Sequence, residues 1–294
     1  MLSYDLHCHS TCSDGGLEVA ELIDRACACG VQVLALTDHD TVQGVEQAAA
    51  CAAGRLVLVP GIEVSVTWRS EQIHVAGLFV DPRCPQLQEL IASQRERRRH
   101  RAEAIGRRLE RLGFADALQR TAAFAGEGAV ITRGTYASYL HHIGAAASAD
   151  QAFNSYLRRG RGAYVSTTWV SLAECVEALH AAGGLAVVAH PGRYRITAAR
   201  LRQLLAEFRA CGGDGMEVSM CAQPPGERSY LASLAVRHEL YASAGSDFHR
   251  PGPLRELGRD LGLPEGVTPV WEQPQAAAWL TEHMPAAASG TQRS

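Results

Sequence analysis

Apolar positions along this chain repeat with two different periods, and the alternation between them predicts the fold. Leu17, Ala20, Ile23 and Cys27 keep a three-to-four spacing that stops at Gly30, so residues 16–30 predict a helix behind a short opening strand. The apolar run Val31-Gln32-Val33-Leu34-Ala35-Leu36 predicts a buried strand. A helix over about 42–53 and strands over 56–65 and 73–78 follow. The pattern breaks near Pro82 and Pro85, and from about 86 to 163 the chain is helical in character with no convincing strand. Alternation then resumes with helix 171–182, strand 185–192, helix 198–210, strand 215–218, helix 226–238 and strand 241–249. The last forty residues carry no chemical motif, and 286–294 are expected to fray. Buried apolar strands between amphipathic helices predict an α/β fold with parallel β/α architecture. The body takes residues 1–82 and 164–294, and 83–163 form an inserted helical cap.

Composition narrows the chemistry. With 294 residues, 47% of them apolar, there is material for one large core. A net charge of −3 gives no global basic field for sequence-independent binding of long nucleic acid. The chain has no Lys, which excludes a Schiff-base or P-loop lysine, so any phosphate clamp is guanidinium. Nine scattered cysteines, with Cys27-x-Cys29 off the usual zinc or redox spacing, predict reduced thiols in a cytoplasmic protein. No leader is expected, and no apolar run approaches the ~20 residues of a membrane span.

The candidate chemistry begins at His7-Cys8-His9. Alternate residues of a strand share a face, so His7 and His9 project together, Cys8 points away, and Asp14 on the next turn can add an oxygen ligand. His39, Glu63, His74, His190 and the pair Asp247/His249 fall at or just past the C-terminal ends of predicted strands. In a β/α barrel those ends converge on one mouth. Imidazole and carboxylate without thiolate suit manganese, iron or zinc, and neither Cys8 nor Cys12 is expected to ligate. His141, His142, His180, His238 and His283 read as surface or packing residues, and Glu217 has the wrong neighbours for a ligand.

Arg95 to Arg111 reads first as a solvated helix face balanced by Glu96, Glu103 and Glu110. Yet Ala102, Ile105, Leu109 and Leu112 mark the buried stripe, and Arg98 lies one heptad before Ile105, so Arg98 and Arg101 lean toward the body. With Arg99 and His100 beside them, they are candidates to bind a phosphate. Arg133, Gly134 and Thr135 can add a side chain, a backbone N–H and a helix-start hydroxyl to the same anion.

Taken together, His7-Cys8-His9, Thr37-Asp38-His39-Asp40, Pro60-Gly61-Ile62-Glu63, Ile73-His74, Ala189-His190-Pro191 and Gly245-Ser246-Asp247-Phe248-His249 resemble, in order, the motifs of the polymerase-and-histidinol-phosphatase (PHP) family of metallophosphoesterases. The Glu96-Arg97-Arg98 to Arg101-Ala102 run, Thr132-Arg133-Gly134 and Gly192-Arg193-Tyr194 resemble its 3′,5′-nucleoside bisphosphate phosphatases, whose relatives also trim short RNA from the 5′ end. Where many relatives carry His after the Arg-Gly pair, this chain has Thr135. The resemblance implies a distorted (β/α)7 barrel and a site for two or three ions, usually manganese. One ion would take His7, His9, Glu63 and Asp247; a second Glu63, His74 and His190; a third Asp14, His39 and His249. It implies attack of a metal-bridging hydroxide on the 3′-phosphorus, with Glu63, Asp247, His249 and His190 catalytic. The expected substrate is a small nucleotide, with short RNA as a further one and no membrane partner. A histidinol-phosphate-type monoesterase would not need two arginine clusters. All nine ligand positions being filled speaks against a non-catalytic binding module.

Overall fold

The computed structural model describes residues 2–252 and 255–284; the expected tail at 286–294 lies outside them. Strands β1 (Tyr4–Cys8), β2 (Val33–Leu36), β3 (Val57–Trp68), β4 (Glu71–Leu78), β5 (Leu185–Val188), β6 (Gly215–Ser219) and β7 (Tyr241–Ala244) stand side by side in sequence order. Helices α1 (Val19–Ala28) and α2 (Val45–Ala52) connect the first three strands. α7 (Leu172–Ala181) leads into β5, and α8 (Ala198–Ala210) and α9 (Glu227–Arg237) link β5, β6 and β7.

The sheet is mainly, but not wholly, parallel. β4 runs antiparallel to both β3 and β5, while the other neighbours are parallel. Trp68 pairs with Glu71 across a turn of only Arg69 and Ser70, and a two-residue link can join antiparallel strands only. Arg69 takes the left-handed conformation (φ 55°) that such a turn demands. β3 also changes partner midway: Val57 to Pro60 pair with β2, and Gly61 onward pairs with β4. Beyond the named strands, Asp247 N–H donates to the His7 carbonyl and His9 N–H to the Phe248 carbonyl, both at 2.9 Å, so the extensions of β1 and β7 run together.

The strands bury both faces. Leu6, Val33, Ala35, Val59, Leu78 and Val187 pack with Val270 and with Ala276 and Leu280 of α10 (Pro274–His283), a helix the sequence pattern had not marked. Val64, Val66, Ile73 and Val75 pack beneath α7, α8 and α9. Between β4 and β5 the named elements are helical: α3 (Pro85–Arg111), α4 (Ala117–Ala125), α5 (Arg133–His142), and α6 (Ala149–Ala152) running into a π-helix at Phe153–Leu157. They share their own apolar cluster, including Ile105, Leu109, Tyr136, Leu140 and Leu157. Along α3, Leu87, Leu90, Gln94, Arg98, Arg101 and Ile105 form one buried stripe at helical spacing. No helix among the described residues is long and apolar enough to cross a membrane.

Candidate metal centre and its arginine neighbours

Strand ends set the side chains. His7 sits in β1 where the register slips between Asp5 and Cys8, and His9 lies just past it. Cys8 turns into the core, its thiol on the Ala35 carbonyl at 3.2 Å. His39 follows β2, and its loop is tied to β3 through Glu63 N–H to Asp38 O (3.1 Å) and Asp40 N–H to Glu63 O (2.9 Å). His190 follows β5, and Asp247 and His249 follow β7. His74 departs from the expected strand end. It lies in the first half of β4, which reaches the same mouth because that strand runs the other way. Asp40, His190 and Asp247 hold left-handed backbone (φ 50°, 32° and 49°), the kind of strain that persists where surrounding structure dictates it.

The other eight expected ligands gather about Glu63, directly or through one another. One of its oxygens lies 2.8 Å from both His74 Nδ1 and His190 Nε2. The other lies 2.8 Å from His39 Nδ1, 3.4 Å from His9 Nε2 and 3.5 Å from His7 Nε2. Asp247 Oδ1 is 3.2 Å from His9 Nε2 and 3.5 Å from His7 Nε2. Asp14 lies 3.3 Å from His249 Nε2 and 3.8 Å from His39 Nε2. Close approach here is not hydrogen bonding throughout. His9 Nδ1, His39 Nδ1, His190 Nδ1, Asp14 Oδ1 and Glu63 Oε2 are buried without a hydrogen-bond partner. Buried polar atoms left unpaired are costly unless something else satisfies them.

The protonation states point the same way. Burial first, then neighbouring imidazoles, bring His9 down to about 3. Burial outweighs the Glu63 carboxylate at His39 and at His190, each near 4. Burial works against the charge of Glu63, but His74, His39 and His7 hold it well below the usual carboxylate range. His39 and His249 do the same for Asp14. Neutral imidazoles beside ionised carboxylates are what a divalent cation requires. Donor atoms of His9, Asp14, His39 and His249, of His7, His9 and Glu63, and of His39, Glu63 and His74 each lie close enough together to hold one ion. The residues fit a metal centre. His7 is the exception in charge: burial would lower it, yet Glu217 and Glu63 raise it to about 10.

Several supporting groups have roles that the sequence did not assign. Glu217 is no outlier on its strand but sits behind His7, 2.6 Å from Nδ1. Arg193 pairs with Asp247, and the Tyr194 hydroxyl accepts from His74 N–H (2.9 Å) and donates to Ala189 O (2.8 Å). Asp38 accepts from the Ser10 amide and from the hydroxyls of Ser10 and Ser13, fixing the turn that carries Asp14. Most of these contacts join residues far apart in the chain, so a local motif can contain the residue without revealing its partner.

The arginines divide sharply. Arg98 and Arg101 are both buried and both stack on the Trp169 ring, 5.1 and 5.3 Å from its centroid. Arg98 is spoken for: it bonds Asp40 at 2.6 Å and the Ser65 hydroxyl at 2.9 Å. Arg101 Nε is buried without a hydrogen-bond partner, and its Nη2 makes a long bond to Gln72 Oε1 (3.4 Å). Burial, with Arg133 and Arg98 nearby, holds Arg101 well below the usual guanidinium range. Gln72 also meets His74 Nε2 at 3.0 Å, so Arg101 stands one side chain from the cluster. Arg133 stacks on Phe153 and Tyr164. Gly134 presses on Asp14, where a Cβ would come within 2.4 Å of its carboxylate, and Thr132 donates to the same group (2.7 Å). Thr135 closes a reciprocal capping box with Thr132. Arg99 and His100 lie on the exposed face of α3, paired with Glu96 and, for Arg99, Glu103.

The chain is similar to known proteins over most of its length. The PHP domain matches residues 5–100. The 5′-3′ exoribonuclease Rnm of Escherichia coli (strain K12) is 44% identical over 278 residues, covering 92% of this chain and 94% of that protein. The 3′,5′-nucleoside bisphosphate phosphatase of Chromobacterium violaceum is 41% identical over 281 residues, covering 94% and 98%. A crystallised amidohydrolase from the same organism, solved with bound sulfate, superposes with a TM-score of 0.87 at 40% identity, covering 92% of this chain and 94% of that one. This chain belongs to the PHP family and is one of its metal-dependent phosphoester hydrolases.

Proposed function

We propose that this enzyme breaks the 3′-oxygen–phosphorus bond of nucleoside 3′,5′-bisphosphates, such as adenosine 3′,5′-bisphosphate, and the first such bond of short 5′-phosphorylated RNA. The two substrates pose one chemical problem: a 5′-phosphate to hold and a 3′-ester to hydrolyse. Water adds to the phosphorus and the 3′-oxygen leaves with a proton. The products are a 5′-nucleotide and either inorganic phosphate or a shortened RNA bearing a new 5′-phosphate.

One observation carries the reading. A buried, incompletely bonded guanidinium (Arg101) stands beside Arg133 and is bridged by Gln72 to His74 of the cluster. A cation left in that state fits a site meant for an anion. Arg101, Arg133 and the start of α5 at Gly134 hold the 5′-phosphate, while Thr135 and Arg98 fix the helices that present them. In this reading residues 83–163 are a substrate-recognition cap. Manganese, or iron or zinc, held by the three ligand sets described above, would acidify water and offset charge on the phosphoryl oxygens. Glu63 stays ionised within the pocket, and His249, the more exposed of the two candidate donors, delivers the proton to the leaving oxygen.

Phosphate release in manganese should be compared for adenosine 3′,5′-bisphosphate, AMP and histidinol phosphate, and release of 5′-mononucleotide for short RNAs with 5′-phosphate or 5′-hydroxyl ends. Turnover of the bisphosphate and the 5′-phosphorylated RNA alone is expected. Preference for histidinol phosphate, or indifference to the 5′-phosphate, overturns the proposal.

A further inference from the structure

Strand β6 sends no side chain into the cluster, yet Glu217 at its middle lies directly behind it. Its two oxygens meet two groups that lie 27 and 210 residues away in the chain. One accepts the backbone N–H of His190 at 2.5 Å, and the other lies 2.6 Å from His7 Nδ1. Glu217 is 1% exposed and His7 fully buried, so no water competes for either contact. The register slips between Glu217 and Ser219, the type of irregularity that re-aims a strand's side chain.

We propose that Glu217 is a positioning residue that keeps a proton on His7 Nδ1, so that Nε2 is the nitrogen His7 presents to Glu63, Asp247 and His9. A backbone amide can only donate, which commits one Glu217 oxygen as an acceptor. The second oxygen of the same carboxylate accepts from Nδ1–H, and it does so whether the ring is neutral or charged. His7 Nε2 then faces His9 Nε2 at 3.1 Å and Glu63 and Asp247 at 3.5 Å each. Because the same carboxylate grips the His190 backbone, it sets two members of the cluster at once. A carboxylate behind a ligating imidazole raises its basicity and fixes its ring.

The consequence for activity rests on the metal-dependent reading above; the proton on Nδ1 does not. Glu217→Gln offers one acceptor and one donor, so it cannot accept from both neighbours. If its oxygen stays on the His190 amide, its NH2 faces His7 and strips the proton from Nδ1. Two readouts need no turnover. In metal-free protein labelled with ¹⁵N-histidine, the Nδ1–H correlation of His7 is expected in the parent and lost in Glu217→Gln. Manganese titration is expected to show affinity lowered about 10–100-fold. A parent lacking the Nδ1 proton, or a Gln variant with both proton and affinity unchanged, overturns the proposal. Should Glu217→Gln fail to fold, Glu217→Asp keeps the charge but withdraws the oxygens by one methylene. It should retain Nδ1–H and bind manganese more weakly; unchanged affinity overturns the proposal. A parent that passes both tests but hydrolyses none of the nucleotides refutes the phosphatase reading alone.

Discussion

Two sets of buried polar groups lie side by side at the sheet mouth, built on opposite rules. Asp5, Asp38 and Asp40 are saturated. Asp5 accepts from the amides of Ser246 (2.8 Å) and Gly258 (2.9 Å), and Asp40 from Arg98, the Ser65 amide and Gln94. The His and carboxylate cluster and Arg101, by contrast, crowd polar atoms together and leave five cluster atoms and Arg101 Nε without hydrogen bonds. Saturated groups hold the loops in place; unsaturated ones keep their bonding capacity for something that arrives. The fold is stabilised at the first set and forgoes stability at the second.

Breaking the second set should cost catalysis and little stability. Glu63→Gln removes the carboxylate that five of the six cluster imidazoles approach. Its turnover of the bisphosphate should fall on the order of 10³-fold or more, with a melting temperature equal to or above the parent's. Steady-state kinetics and calorimetry on the same sample check both halves.

Breaking the first set should do the reverse. Arg98→Met leaves the Asp40 carboxylate buried without its counter-ion, which costs about 3–5 kcal/mol of stability in urea unfolding. The pair also has a pH signature. Burial would raise the pKa of Asp40, but Arg98, the Ser65 amide and Gln94 outweigh it and the net direction is down. A folded value below the unfolded one means this stabilisation is complete above the ordinary carboxylate value of about 4 and is lost as pH falls through the depressed one. The double variant Asp40→Asn/Arg98→Met should therefore unfold with a flatter pH dependence below about pH 4.

Arg101→Met separates the two rules on a single helix. It lies three residues from Arg98, is as buried and touches the same tryptophan, yet it lacks a carboxylate. Stability should hold or rise, while KM for the bisphosphate climbs roughly 10–100-fold, the ~1.4–2.7 kcal/mol of a charged hydrogen bond or two. Equal destabilisation by both arginine variants would erase the distinction. Smallest of all, Arg99→Ala removes exposed pairs with Glu96 and Glu103 and should move stability by no more than about 0.5 kcal/mol, with KM unchanged.

The sequence made the cluster readable because its members sit at punctuation points, where apolar runs stop and polar motifs begin. It misdirected on β4 because Arg69-Ser70 carries none of the glycine, asparagine or proline that ordinarily marks a tight reversal. Helical periodicity put Arg98 and Arg101 on the inner face of α3 together. Periodicity gives a direction but no partner, so it could not tell the neutralised arginine from the open one. Glu217 was harder still: its two contacts lie 210 and 27 residues away, and only the sheet brings them together.

Gly245 extends the point to a position with no chemistry of its own. A methyl group there would fall 2.3 Å from His7 Cβ and 3.1 Å from the Glu217 carboxylate, both locked in the sheet. Gly262, by contrast, has open space around it. Under random mutagenesis position 245 would thus be as intolerant as a ligand while never touching a substrate. Intolerance to substitution in this enzyme therefore maps the clearance that reactive groups need, as well as the groups themselves.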